Sequence, residues 1–203
     1  MHQTNTDPAL DLTHVELDRL TPHTTLPDTA VSRWLDALLM RIGEWLSWIW
    51  VLLMAVIILN VFMRYALDEG RIEFEELQWH LYAAGWLLGL SYCFVADDHV
   101  RVDLFHHRFS LRTQAWVELF GMLFLLTPFL SLVLWYSVPF IVYSWQLSEV
   151  SGDPGGLPYR WLIKSALLFG FALLALATVS RLSRVIALLF APRRLATTAP
   201  AAA

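Results

Sequence analysis

Charged residues are absent from Trp45 to Met63, Leu77 to Ala96, Leu119 to Ser148 and Ser165 to Ser180, and apolar side chains dominate these windows. A bilayer core of about 30 Å needs about 20 helical residues at about 1.5 Å each. The first two windows match that requirement directly. The third exceeds one perpendicular span, and the fourth reaches span length once Lys164 and Arg181 extend their charged ends toward the headgroups. The pattern predicts an all-α membrane protein with four transmembrane helices, at about 45–65, 74–96, 113–138 and 161–190.

Ahead of the first window, Trp34, Leu35, Leu38, Leu39 and Ile42 recur at helical spacing between Arg33, Asp36, Arg41 and Glu44. This reads as an N-terminal amphipathic helix lying along the membrane interface. The alternative is that it continues into the first span as one long helix. Residues 1–30, with Pro8, Pro22 and Pro27 among Thr, Asp and His, bury too little apolar surface to offset ordering entropy and read as a flexible polar tail. Residues 31–190 make up the membrane domain, and 191–203 form a second flexible tail.

The turn containing Asp68, Glu69, Gly70 and Arg71 is short enough to force an antiparallel hairpin. The linker from Asp97 to Arg112 is the most charged. Pro139 is expected to end or bend the third helix, leaving Phe140–Ser148 as a separate turn, because a straight helix through the whole window would reach about 45 Å. Gly152 to Pro158 make a turn-rich loop, and the fourth helix opens near Pro158 to Trp161 and ends before Pro192.

Composition narrows the class. Of the 203 residues, 57% are hydrophobic and 16% charged, against roughly 25% charged in soluble domains, which speaks against a soluble enzyme. A formal charge of -4 speaks against nucleic-acid binding, which calls for a concentrated basic surface. Cys93 is the single cysteine, so no intrachain disulfide and no multi-cysteine metal site forms. The first segment lacks the apolar core of a cleaved secretory signal and is expected to be retained.

Positive residues beside short loops stay cytoplasmic. Arg33, Arg41, Arg101, Arg108, Arg112, Arg181, Arg184, Arg193 and Arg194 fall on one side, against Arg64, Arg71, Arg160 and Lys164 on the other. Both termini are therefore expected in the cytoplasm. Trp45, Trp48 and Trp116 then mark the inner interface, and Trp79, Trp145 and Trp161 the outer one.

Ion or solute conduction requires polar or ionisable groups at membrane depth. The candidates are Asn60, Gln78 and His80 near the outer helix ends and Glu118 near the inner start of the third helix, and hydrogen bonding to a neighbouring helix or interfacial water accounts for each. Gly85 and Gly89, with Ala84 and Ser91, form a smooth strip that suits either a partner subunit or packing within the four helices. Asp97, Asp98, His99, Asp103, His106 and His107 carry metal-ligand chemistry without a recognised ligand spacing, and a solvated charged loop explains them better. Arg101 and Asp103 can also pair with each other or with a helix end. No catalytic, cofactor-binding or metal-binding residue is expected.

The stretch from Gly70 through Glu75, Glu76 and Trp79-His80 to Gly85, continuing through Leu88-Gly89-Leu90-Ser91-Tyr92 to Asp98-His-Val-Arg-Val-Asp103, and then Gly155-Gly156-Leu-Pro158-Tyr-Arg160-Trp-Leu-Ile-Lys164, resembles the DctQ-type small membrane subunit of tripartite ATP-independent periplasmic (TRAP) transporters. The likeness spans about Arg33 to Leu189 and is greatest to the mannitol/chloroaromatic-compound branch, whose members are linked to organic acids. It implies four membrane helices and association with a large DctM-type membrane subunit, which holds the sodium and substrate sites. It also implies a periplasmic solute-binding protein that delivers cargo, a bacterial inner-membrane location and contact with membrane lipids. The family's His-Val-Arg-Val-Asp stretch corresponds to His99–Asp103, including Arg101, and its glutamate opening the second helix to Glu75 or Glu76. The long N-terminal tail departs from the family pattern.

The resulting expectation is a non-catalytic scaffold. Its faces around Gly85, Trp86 and Gly89 would pack on the large subunit, the segment around Trp34 and Leu38 would brace the inner leaflet, and Glu149, Asp153, Arg160 and Lys164 would meet the binding protein. A haem-carrying membrane anchor of a respiratory enzyme is the rival from another class. Such a site wants two facing histidines at matching depth, and only His80 falls inside a span. A self-sufficient channel conflicts with the dry spans.

Overall fold

The computed structural model describes residues 26–97 and 110–190, so most of the N-terminal tail, the linker residues 98–109 and the C-terminal tail lie outside it. The described residues form α1 (Ala30–Leu46), α2 (Trp48–Ala66), α3 (Ile72–Val95), α4 (Leu111–Phe120), α5 (Thr127–Gln146) and α6 (Arg160–Phe190), with no strand among them. A π-helical segment, Gly121–Leu126, joins α4 to α5.

Helix α1 starts at a reciprocal cap. The Ser32 N–H donates to Thr29 Oγ1 at 3.0 Å, and the Thr29 N–H donates to Ser32 Oγ at 3.0 Å, satisfying two of the otherwise orphaned donors of the first turn. The pattern of this segment is amphipathic as expected, but the chain does not leave the axis of the first span. Ser47 stays in the right-handed helical region, at φ -60° and ψ -24°, and its N–H reaches Gly43 O at 2.9 Å. Buried positions Ser32, Leu35, Leu39, Gly43, Leu53, Val56 and Asn60 follow one helical phase across the junction. A stripe that keeps phase through Ser47 buries both helices against the same neighbour, and that neighbour is α3. The N-terminal amphipathic helix is present as α1, and it runs on through Ser47 into α2 as one helical run from Ala30 to Ala66.

The proline expectation is also corrected. Helix α5 runs through Pro139 to Gln146, so Phe140–Gln146 is part of it rather than a separate turn. The larger distortion belongs to Pro128. Lacking an N–H, and with its ring directed at the carbonyl four residues back, it is tolerated where the preceding turn widens. There the Thr127 N–H bonds to Met122 O, five residues back, and Thr127 Oγ1 donates to the same carbonyl at 2.8 Å.

Helix α6 is the centre of the assembly, packing on α1, α3, α4 and α5, while α3 lies against α1, α2 and α6. The crossing of α3 and α6 depends on Gly170, where a Cβ would stand 2.6 Å from the Leu87 carbonyl oxygen. A small apolar core of Ala115, Met122, Val185 and Leu189 joins α4, the π segment and α6. Much of the remaining apolar surface faces outward. Ile58 is 63% exposed, Phe62 57% and Trp135 78%, an arrangement that water would penalise and lipid accommodates. Three helical runs are long and apolar enough to cross a membrane: Ala30–Ala66, Arg112–Gln146 and Arg160–Phe190.

Candidate functional site

Polar side chains gather at the two ends of the helices. At one end, the loop between α5 and α6 folds over the first turn of α3. Glu76 is only 2% exposed, and its carboxylate accepts from Ser151 Oγ and, at 2.6 Å, from the Leu157 N–H. Gly156 makes that approach possible, since a Cβ there would clash with Ser151 and lie 2.7 Å from Glu76 Oε1. Gly155 turns the chain with φ +83°, a conformation that suits glycine. Pro158 biases Leu157 toward extended backbone, which suits an N–H aimed outward at a carboxylate. The motif residues Glu76, Gly155, Gly156 and Pro158 therefore meet in one clasp. Glu75 does not join them. It forms an exposed ion pair with Arg64 of α2, at 2.8 Å.

The same loop is tied down a second time. Glu149 pairs with Lys164 of α6, the Lys164 ammonium lies 4.2 Å from the centroid of the Phe140 ring, and the Arg160 N–H donates to Glu149 O at 3.2 Å. The hydrogen bond from Lys164 holds the Glu149 carboxyl below the usual glutamate range. Asp153 remains exposed in the loop.

At the other end, Arg181 of α6 joins three helices. Its Nε donates to Glu118 of α4, and its Nη1 reaches Asp97, just past α3, at 2.6 Å. One turn on, Arg184 pairs with Asp36 of α1 and, at 3.2 Å, with Asp28, while Ser180 Oγ donates to Asp36 at 2.6 Å. Glu118 thus has the structural role expected of it. The sequence offers Arg181 and Lys164 as side chains reaching for headgroups, Arg184 as an orientation marker and Asp36 as a helix-spacing residue; in the structure Arg181 and Lys164 turn instead to carboxylates of the same chain, and the recurrence of polar positions at 180, 181 and 184 is the available signal.

Of the proposed interface residues, Gly85 is occupied within the chain, where a Cβ would stand 3.1 Å from Trp50 Cζ2. Gly89 faces open space, and Trp86 is 57% exposed. Between them lies an open groove of about 450 Å³, whose other walls include Gly43, Ser47 and Trp50. Trp34 and Leu38 project from the outer side of α1, 68% and 37% exposed. His99, Arg101 and Asp103 lie outside the described residues. His80, whose Nδ1 is 2.5 Å from Glu76 O, is the one histidine among the described residues, so no facing pair for haem occurs there. Nor do three metal-ligating side chains converge among the described residues.

No curated protein and no solved structure matches the chain. Residues 53–188 match the family model described as tripartite ATP-independent periplasmic transporters, DctQ component. The match covers most of α2 and all of α3 to α5, ends near the close of α6, and takes in both polar clasps except for the α1 contribution. The chain therefore belongs to the DctQ family, the membrane-embedded small component of TRAP transporters and not a family of enzymes.

Proposed function

We propose that this chain is a non-catalytic scaffold that holds a large DctM-type subunit in the bacterial inner membrane, for sodium-driven uptake of an organic acid delivered by a periplasmic binding protein. The observation that carries the reading is the distribution of charge. Ion pairs sit at the helix ends, neutralised by named partners, and the lengths between them carry no Asp, Glu, Lys, Arg or His on α2, α5 or the middle of α6. A path for a charged solute needs substitute ligands at depth, and this chain does not supply them.

In this reading α3 is the fourth span, at 24 residues about 36 Å long, more polar than the others because α1, α2 and α6 cover it. Both termini face the cytoplasm, which puts the Glu76 clasp and the Glu149–Lys164 pair on the periplasmic side within reach of the binding protein. The groove beside Gly89 and Trp86 receives the large subunit, and Trp34 and Leu38 contact lipid or that subunit in the inner leaflet.

The test is transport by proteoliposomes. Uptake driven by a sodium gradient is expected only when this chain, the large subunit and loaded binding protein are all present. Accumulation by vesicles holding this chain alone would refute the scaffold reading. A Cβ at Gly89 meets no atom within 4 Å, and Gly89→Leu is expected to leave the unfolding midpoint unchanged while reducing co-purification of the large subunit at least tenfold. Undiminished co-purification removes the groove from the interface.

A further inference from the structure

The Arg181 end holds hydrogen-bonding capacity that its ion pairs leave unused. Arg181 spends Nε on Glu118 and Nη1 on Asp97, and its Nη2 is buried with no partner among the described residues. Arg184 spends Nη2 on Asp36 and Asp28, and its Nε is likewise buried without a partner among the described residues. The Arg181 side chain is only 10% exposed, so bulk water does not serve it. A buried guanidinium nitrogen without an acceptor is costly, and two in adjacent turns of one helix call for a shared one.

A cleft of about 10 Å³ lies where these side chains meet, lined by Asp36, Ser180, Arg181 and Arg184 together with Phe94, Val95 and Ala177. That is space for one water, which also needs two to four polar partners. Asp36 supplies an acceptor. Its Oδ1 takes the Ser180 hydroxyl and its Oδ2 takes Arg184, and each carboxylate oxygen has a further lone pair.

We propose that this cleft is a binding site for a single resident water, which accepts from Arg181 Nη2 and Arg184 Nε and donates to the Asp36 carboxylate, tying α1 to α6. Charge selects water over the other small acceptor, a halide. Asp28, Asp36, Asp97 and Glu118 already outnumber the two arginines, so an added anion meets excess negative charge. A metal cation is disfavoured because the groups without partners are donors.

The sign of a cavity-filling effect tests the site. Ala177 is 1% exposed and lines the cleft, and Ala177→Val adds two carbon atoms beside it to displace a water. If water resides there, the full-length chain in detergent loses about 3–6 °C from its unfolding midpoint, because both nitrogens lose their acceptor. A dry cleft gives an unchanged or raised midpoint, and that result overturns the proposal. Simple overcrowding is separated by repeating the substitution in Arg184→Lys, which keeps the charge and removes Nε. The cost of Ala177→Val is expected to fall by at least half in that background, and an equal cost refutes the water. Replacing chloride with gluconate at constant ionic strength is expected to leave the midpoint unchanged; a chloride-specific rise assigns the cleft to a halide and overturns the water. A density map that resolves ordered waters must show a peak about 3 Å from both nitrogens.

Discussion

Arg181 supports the sharpest quantitative prediction. Arg181→Met preserves most of the volume and removes the charge, leaving Asp97 and Glu118 facing each other across the former guanidinium. The side chains are 10%, 22% and 24% exposed for Arg181, Asp97 and Glu118. Removing one partner of a buried ionic group costs about 3–5 kcal/mol, chiefly because the others are left uncompensated. The two carboxylates keep roughly a quarter of their surface in contact with solvent, which places the loss near the low end, about 3 kcal/mol. For a chain of this length, that lowers the unfolding midpoint by about 6–12 °C. Intrinsic tryptophan fluorescence during heating in detergent measures it. The triple variant Arg181→Met, Asp97→Asn, Glu118→Gln removes the stranded charges with the cation, and most of the loss is expected to return. A single variant within 1 °C of the parent, or a triple variant less stable than the single, refutes the claim that Arg181 holds α3, α4 and α6 together through charge.

Glu76→Gln retains the shape of the side chain but weakens the bonds from Ser151 and Leu157, and Gly156→Ala pushes a methyl into the carboxylate. Both are expected to speed proteolytic cleavage of the α5–α6 loop by at least tenfold while the unfolding midpoint falls by less than about 6 °C. Cleavage at the parental rate in both removes Glu76 as the anchor of the loop. The Glu149 carboxyl titrates below its ordinary range when folded, so its contribution is present at neutral pH, above the unfolded value, and is lost as pH falls through the lowered folded value. Between neutrality and the acid side of the ordinary glutamate range, the midpoint of the parent chain should therefore fall more steeply than that of Glu149→Gln, and parallel curves exclude the linkage. Gly170→Ala is expected to destabilise strongly, because its Cβ meets the Leu87 carbonyl; a midpoint within 1 °C of the parent refutes the backbone approach of α3 and α6.

The long helices were legible because hydrophobic continuity over about 20 residues has one physical solution in lipid. As helices, α3 and α6 end within two residues of the expected 74–96 and 161–190, but of the two only α6 is among the runs apolar enough to cross a membrane. The α1–α2 junction was harder to read because the charges at Arg41 and Glu44 suggest an interface, whereas continuity depends on which face Ser32, Leu35, Leu39 and Gly43 bury, and that requires knowing where α3 lies. The course of the chain after Pro139 is hard to read from the sequence for a related reason. Proline removes one donor and crowds one carbonyl, but neighbouring helices and a widened turn elsewhere absorb the cost. Choosing between Glu75 and Glu76 was beyond the sequence alone, since adjacent helical positions point about 100° apart and only the returning loop distinguishes them.

The glycines make the same point about function. Spacing singled out Gly85 and Gly89, yet the closest backbone approach is at Gly170, an isolated glycine in α6, and Gly43 makes room for the Tyr92 ring. A small residue is informative only when its neighbour is known. Gly85 is filled from within by Trp50 and Ile49, whereas Gly89 has nothing within 4 Å, so these two residues of one motif serve different purposes. Trp50 and Ile49 pack on Gly85 where α2 meets α3, and open space remains beside Gly89. With polar clasps fastening the helices at both ends, that opening suits the scaffold role proposed above, in which it receives the large subunit.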